Sequence, residues 1–96
     1  MTYYPKKYWK IKAFHKSWIK HKKYAVILAH KYNGNTRTLH FGDKRYQHYR
    51  DSTPLKLYKK LDHLDKTRRE RYIKRHKKFI KKGYFSPGQM SMDYLW

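Results

Sequence analysis

The sequence has no cysteine and few acidic residues, and both absences restrict what the protein can do. Without cysteine, the chain forms no disulfide, thiolate nucleophile or cysteine-based zinc site. The longest apolar run, residues 24–29, is too short to indicate a signal peptide or a membrane span. Six Asp and Glu stand against 26 Lys and Arg, which gives a formal net charge of +20. Because like charges repel one another in a compact chain, this excess favours a polyanion or an acidic protein surface as partner.

Glycine is also scarce, and the sequence contains no glycine-rich phosphate loop, P-loop or nucleophile elbow. Seven histidines are present, but none of their spacings is HxxxH or HxH, so we expect no metal and no other cofactor. His40 and Asp43 could form an acid–base pair, as in a small nuclease, although a structural hydrogen bond is the commoner role. Most other carboxylates belong to predicted helix starts or helix pairs. We therefore expect a protein that is not an enzyme and has no small-molecule substrate.

The clearest strand signal is a pair of segments on either side of Asn33-Gly34. Residues 24–31 and 36–41 are rich in β-forming side chains, and Asn-Gly favours a tight type I′ turn, so they predict a β-hairpin. Leu39 and Phe41 make one face of the second strand apolar toward its end. We expect the longest helix of the chain to pack on this face.

That longest helix is predicted over residues 66–82, with Asp65 as its N-cap and Gly83 as its stop. Helical spacing places apolar residues on one stripe, namely Tyr72, Ile73, His76, Phe79 and Ile80. The opposite side is cationic, and Glu70 is the only acid between residues 66 and 82. We expect this side to bind a polyanion through Arg71, Lys74, Arg75, Lys78, Lys81 and Lys82.

A shorter helix is predicted before it, with Thr53 as N-cap and Pro54 in the first helical position. It should end near Leu61. Residues 62–65 then form a corner that leads into the long helix, and we expect Leu64 to be buried there.

The C-terminal part is predicted as a turn over residues 84–88 followed by a short amphipathic tail over residues 89–96. The tail ends in Leu95 and Trp96. A Leu-Trp pair left in water favours aggregation, so we expect it to close the core or an interface.

Residues 1–23 interleave basic and aromatic side chains, and they predict an extended or partly stranded arm. Such an arm can stack on bases and contact phosphates, as in single-strand binders, or it can be a solvated tail whose aromatics dock on the domain. The polyanion contacts expected from it are Lys6, Lys7, Lys10, Lys12, Lys16, Lys20, Lys22 and Lys23.

The predicted fold class is therefore α+β. A β-hairpin is packed by a short helix, one long basic amphipathic helix and a C-terminal aromatic tail. Residues 1–23 form the extended basic N-terminal arm, and residues 24–96 form a single small α+β domain with a thin core.

Four ordered segments carry a resemblance to a known family: HFGDKRYQHYRD at residues 40–51, STPLKLYKKLDHLD at 52–65, RRERYIKRH at 68–76 and SPGQMSMDYLW at 86–96. In this order they resemble a family of small basic proteins of unknown function from large double-stranded DNA viruses of algae and other protists. With the preceding hairpin strand the resemblance covers about two thirds of the chain and leaves out residues 1–23. It implies a virion or packaging protein without established catalytic residues, located in the virion and, during assembly, inside the host cell.

Two functions follow as expectations. The first is a structural protein of the virus particle that binds nucleic acid phosphates, those of DNA in particular, without sequence specificity. No zinc-finger, leucine-zipper or RNA-recognition signature is present, which favours contacts to phosphate over contacts to bases. The alternative is a minor capsid or cement protein that docks on acidic capsid protein surfaces.

Overall fold

The structure is a computed structural model that describes residues 3–96. Its elements in chain order are β1 (Tyr4–Pro5), β2 (Trp9–Lys16), β3 (Lys22–His30), β4 (Thr36–Asp43), α1 (Lys66–His76), β5 (Tyr84–Phe85) and α2 (Pro87–Tyr94). Short 3-10 turns lie at Lys59–Leu61 and Lys77–Phe79. The predicted α+β class is confirmed.

The strands form two antiparallel sheets. The larger has the order β2-β3-β4, and the smaller pairs β1 with β5. In the larger sheet β3 is central, and its register with β4 runs from Lys22 opposite Asp43 to Ala29 opposite Thr36. The Tyr-Ala-Val-Ile-Leu run of β3 suits this position, because a central strand is covered on both edges and favours β-branched and aromatic residues.

The predicted hairpin is the β3-β4 pair, but its turn is wider than the sequence indicates. The connection spans residues 31–35, and the His30 N–H closes it by donating to the Asn35 carbonyl at 2.7 Å. A type I′ turn needs positive φ at both central residues, whereas here only Gly34 has it, at +74°. The predicted turn type is therefore wrong. The Asn33 side chain and the His30 ring accept hydrogen bonds from loop N–H groups, which stabilises the wider loop.

Residues 3–23 of the segment predicted as an arm lie inside the fold, whereas residues 1 and 2 lie outside the described residues. Strand β2 pairs with β3 from Lys16 opposite Tyr24 to Trp9 opposite His30, with a bulge between Ile11 and Ala13. Strand β1 pairs with β5. The expected boundary between residues 23 and 24 falls within β3, and β2 is an edge strand of the larger sheet. Its apolar side chains at positions 9, 11 and 14 pack against the core, which explains why it joins the domain.

The hydrophobic core covers one face of the larger sheet and includes a single helix. Its buried apolar residues are Tyr24, Val26, Leu28, Leu39, Phe41, Met90 and Leu95. Helix α2 packs on β4, in the place predicted for the long helix. Helix α1 buries no residue fully, because basic side chains leave it too narrow an apolar stripe. The expectation that Leu95 closes the core is confirmed.

Helix α1 begins as predicted and ends early. The Asp65 carboxylate accepts from the backbone N–H groups of Thr67 and Arg68, so the predicted N-cap is confirmed. The helix ends at His76 and tightens into the 3-10 turn Lys77–Phe79. Residues 80–83 then turn the chain into β5, which pairs with β1, and this pairing prevents the helix from reaching residue 82.

The predicted short helix after residue 53 is wrong, and only the 3-10 turn Lys59–Leu61 forms. The Asp51 carboxylate accepts from the backbone N–H groups of Thr53 and Tyr58 and from the Thr53 hydroxyl. The Tyr24 hydroxyl accepts from the Leu57 N–H at 2.8 Å. Because side chains bind these N–H groups, the segment wraps around buried acceptors instead of forming helical hydrogen bonds.

The corner before α1 leaves Leu64 in solvent. Its backbone is fixed by hydrogen bonds, since the Leu64 N–H donates to the Tyr49 carbonyl and the His63 N–H donates to the His48 carbonyl. Leu64 adopts a left-handed φ of +56°, and its side chain is 60% exposed. The predicted burial of Leu64 is therefore wrong, because the hydrogen bonds set the corner and not the apolar side chain.

Replacing Tyr24 by Phe tests whether the hydrogen bonds around the buried Asp51 carboxylate stabilise the fold. Tyr24 donates to Asp51 and accepts from Leu57, so the change Tyr24→Phe leaves a buried carboxylate oxygen and a backbone N–H without these partners. We expect the free energy of unfolding, measured by chemical denaturation, to fall by about 1–3 kcal/mol. The matched control is Tyr58→Phe, because the buried Tyr58 hydroxyl has no hydrogen-bond partner. The control should unfold at the same denaturant concentration as the original protein or at a higher one. An equal loss of unfolding free energy in both variants would show that the hydrogen bonds to Asp51 do not stabilise the fold.

Candidate functional site

A cavity of about 750 Å³ lies between the β3-β4 end of the sheet and helix α1. Five basic residues line it, namely Lys22, Lys23, Lys74, Arg75 and Lys78. Five rings line it as well, from Tyr46, Tyr72, His76, Phe79 and Trp96. We call this cavity, with these ten residues, the basic cleft. Its lining comes from segments far apart in the sequence, so the tertiary fold alone brings this charge together.

Gly42 shapes the cleft where β4 ends. Its φ is +78°, and a Cβ at this position would lie 2.9 Å from Leu95 Cδ1 and 3.0 Å from Lys23 Cδ. Only glycine permits both the backbone conformation and the close approach. The absence of a side chain therefore lets Lys23 and Leu95 pack against the end of the strand.

Lys23 lies beneath the cleft and is 2% exposed. Its Nζ donates to the Tyr46 carbonyl at 3.0 Å and lies 2.7 Å from His48 Nδ1, while His48 Nε2 lies 2.6 Å from Asp62 Oδ1. Burial lowers the pKa of Lys23 to about 8, although the nearby carboxylates oppose this shift. Burial and then the Lys23 charge also lower the pKa of His48. At neutral pH, His48 is thus a neutral ring that accepts from Lys23 and donates to Asp62.

The buried Asp51 carboxylate lies next to the series of hydrogen bonds formed by Lys23, His48 and Asp62. Burial alone would raise the pKa of Asp51, but hydrogen bonds from Thr53, Tyr24 and the Tyr58 N–H outweigh it and hold the pKa below its ordinary value. Burial, and then the hydrogen bond to Asp51, raise the pKa of Tyr24 to about 12. The Asp51 N–H donates to Asp62 Oδ1 at 2.8 Å, which joins the two groups. Both carboxylates serve as internal anchors of residues 44–65, since both oxygens of Asp51 and Oδ1 of Asp62 accept from protein donors.

His40 and Asp43 have separate partners. His40 Nδ1 lies 2.8 Å from the Ser17 hydroxyl. Both Asp43 oxygens accept from the Arg45 guanidinium, which lowers the pKa of this carboxyl well below its usual range. The geometry therefore does not join the two residues in the acid–base pair considered from the sequence.

The residues predicted on the basic side of α1 divide into two groups. Lys74, Arg75 and Lys78 line the cleft. Arg71 is exposed on α1 outside it, and residues 81 and 82 follow the helix, where Lys81 Nζ lies 4.3 Å from the centre of the Tyr84 ring. The structure thus brings three of the six predicted residues to the cleft.

The lysines predicted on the arm are also dispersed. Lys22 lines the cleft from the start of β3. The Nζ of Lys23 is bonded to protein groups, so its expected role as a surface phosphate contact is corrected to a buried one. The remaining members are exposed on β2 and the turns beside it, namely Lys6, Lys7, Lys10, Lys12, Lys16 and Lys20.

The sequence did not indicate that Tyr46 and Trp96 line the cleft. It also did not indicate that His48 and Asp62 support the cleft from below through hydrogen bonds. Tyr46 lies in a segment with no helical or strand period, so no periodic signal marks it. His48 and Asp62 are 14 residues apart, and His48 and Lys23 are 25 apart, so sequence spacing gives no sign of either contact.

Most Lys and Arg side chains of residues 3–96 have no carboxylate partner. Across residues 3–96, side-chain carboxylates come within 4.0 Å of only two Lys or Arg side chains, those of Arg45 and Lys59. In the same range, no three His, Asp or Glu side chains are grouped as metal ligands. No helix among these residues combines the length and the apolar character needed to cross a bilayer. The arrangement is suited to holding anions, with phosphate as a natural ligand of clustered ammonium and guanidinium groups.

Comparisons of the chain with protein-family models, curated proteins and solved structures find no match.

The Lys23→Met variant tests the buried ammonium through its pH dependence. The unfolded chain keeps the Lys23 proton up to about its ordinary pKa of 10.5, whereas the folded chain keeps it only to about 8. Between these values the unfolded state binds more protons, so this group makes the free energy of unfolding rise with pH. From about pH 8 to about pH 9.5, below the titration of tyrosine, the original protein should gain stability relative to Lys23→Met by at most about 1.4 kcal/mol per pH unit.

The control for this measurement is Lys22→Met, which removes the neighbouring exposed ammonium. It should keep the pH dependence of the original protein in denaturant titrations. An unchanged pH dependence in Lys23→Met would show that the Lys23 proton is not shifted by folding.

Proposed function

We propose that the protein binds nucleic acid through its phosphates, without sequence specificity and without catalysis, as a structural component of a large DNA virus particle. The observation that carries this proposal is the meeting of Lys22 with Lys74, Arg75 and Lys78 around one cleft. Among the residues that the structure describes, one side-chain carboxylate lines the cavity, that of Asp43, and Arg45 already binds it. Positive groups held together in this way repel one another, and a phosphate between them removes that repulsion.

The rings beside these cations favour nucleic acid over an acidic protein surface. Tyr46 and Phe79 line the cleft and are 64% and 50% exposed. Lys78 Nζ lies 5.2 Å from the centre of the Phe79 ring, so a cation and an exposed ring are adjacent. Nucleic acid supplies both phosphates and flat rings, whereas an acidic protein surface supplies mainly carboxylates. The virus particle as the setting is supported by the resemblance of residues 40–96.

The expected absence of sequence specificity follows from the residues involved. The exposed cleft cations are Lys22 on β3, Lys74 and Arg75 on α1, and Lys78 in the 3-10 turn after α1. Three of these four are lysines, whose flexible point charges suit phosphate better than base edges. Such binding releases condensed counterions, so the logarithm of the association constant should fall linearly with the logarithm of salt concentration.

A triple variant, Lys74→Gln, Arg75→Gln and Lys78→Gln, tests the role of the cleft. Mobility shifts with two unrelated sequences, between about 50 and about 200 mM salt, should give weaker binding. The salt slope should become shallower by about 0.9 for each phosphate that the variant no longer neutralises. The matched control changes Lys31, Lys56 and Lys60 to Gln. These three are exposed, lie outside the cleft and remove the same charge.

The control should retain more of the affinity than the triple variant. Equal losses would mean that net charge alone determines binding, and tight binding insensitive to salt would contradict phosphate contacts. If the protein binds no nucleic acid and remains with purified capsids after nuclease treatment, the minor capsid or cement role would replace the proposed one.

A further inference from the structure

We infer that the basic cleft is a nucleotide site that holds the base and the phosphate of one unpaired nucleotide within a single strand. This inference rests on the proposed function and specifies its ligand. Binding of phosphates along a backbone needs only an exposed row of cations. The cleft offers more than that, because it combines a large cavity with rings from three separate segments of the chain.

The volume of the cleft fits a nucleotide rather than a bare phosphate. At about 750 Å³ it lies within the range of roughly 300–1,000 Å³ that sites for small organic ligands occupy. A duplex keeps its bases stacked inside the helix and presents only its backbone to such a cavity. An unpaired nucleotide can insert its base, so the cavity favours single strands.

One wall of the cleft is an ordered stack of three rings. The Tyr72 ring lies 4.0 Å from His76 and 4.1 Å from Trp96, with interplanar angles of 18° and 3°. The Tyr72 hydroxyl donates to the Ser91 hydroxyl at 3.2 Å, and His76 Nδ1 lies 2.9 Å from the Tyr72 carbonyl. These contacts fix the wall before a ligand arrives, which reduces the entropy cost of binding.

Two further rings are free to stack on a base. Tyr46 belongs to the segment after β4, and Phe79 belongs to the 3-10 turn that extends α1. Both are half exposed or more while lining the cavity. Stacking against a base would remove apolar ring surface from water at both positions, and it requires no particular base because every base has a flat face.

The phosphate of the same nucleotide has cations within the cleft. Lys22, Lys74 and Lys78 are exposed, and no side-chain carboxylate of residues 3–96 lies within 4.0 Å of them. Lys23, buried beneath them with its ammonium bonded to His48, adds positive potential without contacting the ligand. A nucleotide thus meets rings and unpaired cations together.

A free nucleotide and a nucleotide within a strand share this chemistry. We assign the strand, because exposed basic residues continue beyond the cleft next to two of the elements that line it, namely Arg71 on α1 and Lys20 in the turn before β3. Neighbouring phosphates of a strand can reach such residues, whereas a mononucleotide cannot.

Fluorescence anisotropy with labelled strands of about 12 nucleotides, a length within the usual range for single-strand binders, tests the inference. The probes are oligothymidylate, an abasic strand with the same number of phosphates, and the duplex of oligothymidylate with oligoadenylate. Unlabelled thymidine 5′-monophosphate serves as competitor. The test variant combines Tyr46→Ala with Phe79→Ala. The control is Tyr32→Ala, because Tyr32 is 78% exposed and lies outside the cleft.

The expected result is that oligothymidylate binds about 5-fold to 100-fold more tightly than the abasic strand, as stacking of one base requires. This preference should vanish in the Tyr46→Ala, Phe79→Ala variant and persist in Tyr32→Ala. The affinity for the duplex should be the same in the Tyr46→Ala, Phe79→Ala variant as in the original protein, because a duplex offers phosphates but no unpaired base.

Equal affinity for oligothymidylate and the abasic strand would overturn base insertion and leave phosphate binding intact. Failure to bind any of the polymers would overturn the proposed function itself. Loss of the preference in Tyr32→Ala would place the base outside the cleft. Competition by the monophosphate at the same concentration as the strand would overturn the assignment to a strand.

Discussion

Lys23 places an ammonium group inside the protein, where it donates to the Tyr46 carbonyl and lies in hydrogen-bond contact with His48. The positions of both sides of the cleft depend on this series of hydrogen bonds. It fixes the segment that carries Tyr46, one side of the cleft, to the central strand. Through His48 it reaches Asp62, three residues before the N-cap of α1, the other side of the cleft. An uncompensated charge in this position would be costly, so the polar partners must stay in place whenever the protein is folded.

The features that the sequence predicts well are local ones. The β3-β4 hairpin follows from two runs of β-forming residues with a glycine between them, and the start of α1 follows from Asp65, whose capping contacts lie within three residues. The predicted helix after Thr53 fails because its backbone N–H groups bind Asp51 and Tyr24, and Tyr24 lies 33 residues from Leu57, which it binds. Propensity describes a segment alone and does not include an acceptor that another strand brings to it.

In the cleft, too, local features can be predicted from the sequence and long-range contacts cannot. Helical spacing predicts that Lys74, Arg75 and Lys78 share one side of α1, and they do line one cavity. The pattern within a helix does not specify what faces it, so Lys22, Tyr46 and Trp96 could not be assigned to the same site. Charge density predicts an anionic partner, whereas the shape of the cleft is set by contacts between distant parts of the chain.

Strand β2, at one edge of the larger sheet, affects how neighbouring copies of the protein can interact when they are close together. An unpaired strand offers its backbone to any neighbouring chain, and two identical molecules side by side on a polymer would be held at very high local concentration. Strand β2 carries exposed Lys10, Lys12 and Lys16 and is interrupted by its bulge. Mutual repulsion and a broken hydrogen-bonding ladder therefore oppose pairing of β2 with the same edge of a neighbouring copy.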